Sequence, residues 1–167
     1  MRDTWNKEFI FLPDPGRPLT FTRFNRDAIT PGRMYTDGGS IPRPFRVLRN
    51  YAPWGYAPAF IIHDWLFHVQ HCQLPGYEKY DVEEAAWVMT EVMKTMMEQD
   101  KEVPTDKLAL YAMFEAVRSS IAVTEWNRSK EESCKEPPAE PAAAPLPPGA
   151  PRPVLRKTIL EYPIEFP

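Results

Sequence analysis

An α+β domain, with a small β layer first and three helices after it, is what this sequence predicts, and three observations predict it. Short runs rich in Phe, Ile and Thr fill the N-terminal part. From Pro58 onward apolar residues recur every three or four positions. Ten of the twenty prolines fall between Cys134 and Pro167, so the C-terminal end stands apart from both.

The β layer is justified first. EFIFLP and PLTFTRF are β-like runs separated by Asp14-Pro15-Gly16 and read as a strand pair. A third extended piece, RMYTDGGSIP, starts after Pro31-Gly32 and ends in a glycine-rich turn. The first helix is PAFIIHDWLFHVQHC, with proline at its start and no breaker before Pro75-Gly76. The second runs from about Tyr80 to Glu98, with Val82, Ala85, Ala86, Met89, Val92, Met93 and Met96 on one apolar face. The third is expected from Thr105, a cap after Pro104, past Trp126, burying Leu110, Met113, Phe114, Val117 and Ile121. The first two helices should lie antiparallel. The compact domain is therefore expected over residues 1–130.

Beyond it, residues 131–153 form a proline-rich linker that favours extended, polyproline-like backbone. Residues 154–167 are too apolar for a solubilising tail. Ile159, Leu160, Tyr162, Ile164 and Phe166 read as a docking peptide for a partner chain or a second copy, by rough alternation of apolar side chains.

Composition limits the function. The chain has 167 residues, 43% hydrophobic, and a net charge of only −3, which gives no general case for nucleic-acid binding. No run approaches the ~20 apolar residues of a membrane span, and the N-terminus lacks the apolar stretch of a signal peptide. Cys72 and Cys134 are far apart in sequence, with the second in the expected tail. They suggest neither a disulfide framework nor a metal spacing, and suit a reducing, cytoplasmic compartment. Arg43, Arg46 and Arg49 form a basic turn expected to pair with the acidic second helix, or to present a phosphate-binding surface.

The chemistry concentrates in a few residues. All three histidines, His63, His68 and His71, lie on the first helix. At ~100° per residue Asp64, His68 and His71 share a face, where they could ligate a transition metal such as zinc, while His63 points elsewhere. Alternatively, His63 is a general base and Asp64 beside it binds a hard cation. The plain structural alternative for His68 and His71 is that they are polar residues near a helix C-terminus. Upstream, Asp37-Gly38-Gly39 offers a hard oxygen ligand followed by backbone able to take positive φ, suited to calcium, although Asp-Gly-Gly-Ser is also simply a good turn.

TDGGSIPRPFR followed by YAPAFIIHDWLF resembles a family of phage and prophage proteins of unknown function, whose signature is a TDG-x-SIPR segment and an HDWLY-like helix. The resemblance covers roughly residues 8–125. It implies synthesis in a host cytoplasm, with possible incorporation in a virion. A more distant resemblance is to the secreted and bacterial phospholipases of the A-two type, which pair a glycine-containing calcium loop with a His-Asp helix. It implies an ester hydrolase in which His63 is the base, Asp64 with Asp37, Gly38 and Gly39 holds calcium, and Asp81 or Glu84 orients His63. Two features depart from that pattern. Phe67 stands where those lipases carry tyrosine, and their disulfides have no counterpart. A non-catalytic virion component or assembly adaptor, docking through its C-terminal arm, is the alternative reading.

Overall fold

The computed structural model describes residues 9–36, 56–100, 103 and 105–138. Within them four short strands precede a set of helices, the expected α+β order. The strand pairing differs from expectation. β1 (Phe9–Phe11) pairs antiparallel with β4 (Met34–Thr36), in a register that sets Phe9 opposite Thr36 and Phe11 opposite Met34. β2 (Phe21–Thr22) pairs instead with β3 (Ala28–Ile29). The two runs expected to form a hairpin thus belong to separate sheets.

The reason is local. Pro13, Pro15 and Pro18 crowd the stretch between those runs and withhold backbone donors from any ladder. The Arg23–Asp27 turn, by contrast, closes tightly. Arg23 N–H donates to the Asp27 carbonyl at 2.8 Å, and Arg26 takes a left-handed φ of 67°. β2 therefore finds β3 as its nearest partner.

α1 (Ala57–Cys72) and α2 (Val82–Gln99) form the centre of the core. Ile62 of α1 and Val88, Met89, Val92 and Met93 of α2 are fully buried, and Met34 of β4 is buried as completely. A turn with left-handed Gln73 ends α1, and a 3₁₀ turn at Tyr77–Lys79 leads into α2.

The expected third helix is broken. α3 (Lys107–Val117) stops at Arg118, α4 (Ser120–Trp126) follows, and α5 (Lys130–Ser133) adds one more turn. Ser119 has extended backbone in the N-cap position of α4, where serine competes with helix continuation. The break rotates Ile121 out of the core to 71% exposure, so that residue was misassigned, whereas Met113 and Phe114 are buried as expected. The cap of α3 is Asp106, not Thr105. Its carboxylate accepts from Ala109 N–H at 2.9 Å.

The sequence reading of the cysteines is overturned. Cys72, at the end of α1, and Cys134, just after α5, form a disulfide across 62 residues. α4 and α5 fold back against α1, so Cys134 lies on the domain and not in a tail. The chain divides into units 1–137 and 138–167, and the first takes in residues that composition assigned to the linker. The docking peptide, with Ile159, Leu160, Tyr162, Ile164 and Phe166, lies outside the described residues, as does the Arg43/Arg46/Arg49 turn. No helix among the described residues is long and apolar enough to cross a membrane.

Candidate functional site

His63 and Asp64 sit midway along α1, where the helix fixes their side chains on neighbouring directions. His63 is buried, at 9% exposure, against the Phe67 ring 4.9 Å away. Phe67 in turn meets Trp126 edge-on at 4.8 Å, which closes the apolar wall behind the imidazole. Phe67 is therefore a packing residue here. Nε2 of His63 is buried with no hydrogen-bond partner among the described residues. Its Nδ1 lies 3.9 Å from Asp64 Oδ1, too far for a hydrogen bond.

Asp64 is only partly buried, and its Oδ2 accepts a 2.5 Å hydrogen bond from Thr36 Oγ1. Thr36 is the last residue of β4 and the residue before Asp37-Gly38-Gly39 in sequence. Asp37, Gly38 and Gly39 themselves lie outside the described residues. Gly32 fixes β4 against this side of α1. A Cβ there would come within 2.9 Å of the Trp65 ring, so only glycine permits the approach without displacing the indole. The two motifs that are 27 residues apart in sequence, Thr36 to His63, thus meet at the Asp64 carboxylate.

The acids expected to orient His63 do other work. Asp81 is the N-cap of α2, accepting from Glu84 N–H at 2.7 Å. Glu84 is one of two carboxylates held by Arg23, whose Nε and Nη2 make 2.8 and 2.7 Å bonds to Glu91 while Nη1 bonds Glu84. Neither acid bonds the orphaned His63 Nε2. The hydrogen bonds to Glu91, then those to Glu84, outweigh burial and hold the Arg23 guanidinium above its ordinary pKa, so it stays charged at 10% side-chain exposure. Asp27 adds a second tie, accepting from Lys79 and Tyr80. Burial pushes its carboxyl up, but those two hydrogen bonds prevail and lower it. Burial and the bond to Asp27 raise the Tyr80 phenol. The β2–β3 turn is thereby clamped to the start of α2.

Asp81→Ala tests the capping role. Loss of the cap is expected to cost about 1 kcal/mol in urea unfolding, and a variant as stable as wild type would contradict it.

Asp64, His68 and His71, expected to share a transition metal, do not stand as a converging ligand group among the described residues. His71 is hydrogen-bonded through Nε2 to the Glu125 carbonyl at 2.8 Å, which fastens α1 to α4. His68 stacks on Trp65 at 5.4 Å and turns Nδ1 toward Cys72 Sγ, 3.8 Å away. Burial lowers its pKa and favours neutral imidazole.

Sequence reasoning missed Arg23, Thr36 and the disulfide. Only Asp81 carried a signal, because Asp-x-x-Glu ahead of an apolar-periodic run is a helix-start pattern. Comparison with known proteins gives one match. The family model described as "Protein of unknown function (DUF1353)" covers residues 18–117, which include both motifs. No curated protein and no solved structure matches the chain.

Proposed function

We propose that this chain, which belongs to the DUF1353 family of unknown function, is a phage-type protein with a phospholipase-like cation site. Calcium is bound by Asp64 together with the Asp37-Gly38-Gly39 segment, and His63 serves as the base that activates water against an ester. The observation that carries the reading is the Thr36–Asp64 hydrogen bond, which joins the end of the strand that precedes Asp37-Gly38-Gly39 in sequence to the His-Asp helix. Calcium takes six to eight oxygens, so one carboxylate needs further backbone and side-chain oxygens, of the kind that segment carries. An imidazole nitrogen without a protein partner is costly when buried, and a water or substrate hydrogen bond would repay it. Bound calcium would supply charge stabilisation for the oxyanion of the ester. His63 would take the proton of water, and its apolar wall of Phe67 would limit the imidazole's movement.

A second reading is favoured by the two acids. With Asp81 capping α2 and Glu84 held by Arg23, no carboxylate from α2 orients His63. A scaffold or assembly adaptor with a cation site but no turnover would look this way, and would act through its C-terminal arm. Release of fatty acid from phospholipid vesicles, in calcium and then in a calcium chelator, tests the two. Calcium-dependent release supports the hydrolase, and calcium binding without release supports the adaptor.

A further inference from the structure

The joint that closes α5 onto α1 collects more ligand chemistry than a disulfide needs. Cys72 Sγ, Cys134 Sγ and a Glu136 carboxylate oxygen all lie within 4.8 Å of one another. His68, one helical turn before Cys72, brings Nδ1 to 3.8 Å from Cys72 Sγ. Two sulfurs and a carboxylate oxygen therefore converge, and the His68 imidazole nitrogen stands beside one of the sulfurs. We propose that, once the Cys72–Cys134 disulfide is reduced, this cluster binds a single zinc ion through Cys72, Cys134, His68 and Glu136.

The distances suit the metal. Zinc–sulfur and zinc–nitrogen bonds of about 2.3 and 2.0–2.1 Å at a tetrahedral angle put sulfur and nitrogen roughly 3.5 Å apart. The His68–Cys72 pair is close to that already, because the i, i+4 spacing on α1 sets it. The two sulfurs must separate to roughly 3.8 Å by the same geometry, and the Glu136 oxygen and His68 must close in on the metal from where they now stand. Glu136 follows Cys134 by two residues, so one short segment brings both ligands to α1. His71, whose Nε2 is spent on the Glu125 carbonyl, is left out.

The steps balance. A trialkylphosphine breaks the S–S bond, giving up two electrons and leaving as the phosphine oxide with oxygen from water, and the protons of that water remain on the two thiols. Zinc then displaces both thiol protons to solvent. The joint would be closed by a covalent bond under oxidising conditions and by a metal under reducing ones. This site is separate from Asp64 and does not rest on the calcium reading.

The test uses the full-length protein, phosphine-reduced, cleared of reductant without air, and titrated with zinc against a chromophoric chelator, then with cobalt. One zinc per chain is expected, and cobalt should give the thiolate charge-transfer band and the visible bands of a tetrahedral site. The oxidised protein should show neither. His68→Gln and Glu136→Gln, which keep the disulfide and so the oxidised fold, should after reduction weaken zinc by at least the ~10–100-fold that loss of an outer-sphere partner costs. Cys134→Ser should abolish the charge-transfer band. Reduced wild type that binds no zinc, a cobalt spectrum without thiolate character, or wild-type affinity in both His68→Gln and Glu136→Gln would overturn the proposal.

Discussion

Replacing His63 with glutamine is expected to cut calcium-dependent ester hydrolysis by about 10²–10⁴-fold, the usual contribution of a general base. The loss should fall on kcat, since in the proposed site His63 takes the proton of water while Asp64 holds the cation. Calcium affinity should stay at its wild-type value. Glutamine keeps a planar polar group of similar reach against Phe67, so the wall behind position 63 survives better than with alanine. A glutamine variant as active as wild type would remove His63 from the chemistry. The orphaned Nε2 makes the residue informative in a second way. If its burial is purely structural, the substitution changes unfolding and nothing else.

The second large effect concerns the disulfide. Cys72 and Cys134 close a loop across 62 residues, and the chain-entropy relation assigns such a cross-link about 4 kcal/mol. Replacing both by alanine should lower stability toward urea by that order, with the helical signal in water retained. Changing both avoids leaving one unpaired thiol to form mixed disulfides. Before the mutants are made, alkylation of the native oxidised protein should label neither cysteine. Two readily labelled thiols, or a double variant as stable as wild type, would contradict the pairing. The reduced wild type should fall between these states once zinc is added, because the metal ties the same two segments.

The parts that were legible in the sequence are those with a periodic signal. α1 and α2 declare themselves through apolar positions at threes and fours, and Met89, Val92 and Met93 are buried as their spacing requires. The runs holding β1, β2 and β4 are legible but β3 is not, and the pairing is missed with it, because pairing depends on which turn closes, and the Arg23–Asp27 turn carries none of the glycine signals. The break at Ser119 is short and keeps helix on both sides, so a continuous pattern overran it. His63-Asp64 stands out as a candidate in the sequence because all three histidines lie on α1. Its neighbours do not. Nothing in the order of residues says that Thr36 reaches Asp64, that Arg23 gathers Glu84 and Glu91, or that Cys134 returns to Cys72. Each of those is a contact made by tertiary folding between residues with no local pattern in common.

The proposed calcium site joins Asp64 to the Asp37-Gly38-Gly39 segment that follows Thr36 in sequence. Calorimetric titration of calcium into oxidised full-length protein tests it most directly, with Asp64→Asn and His63→Gln run beside wild type and magnesium as the competing cation. The account predicts saturable calcium binding to wild type, binding retained in His63→Gln, and binding lost in Asp64→Asn while circular dichroism shows the same helical content. Heats of dilution alone in wild type, or calcium bound equally well by Asp64→Asn, would contradict it.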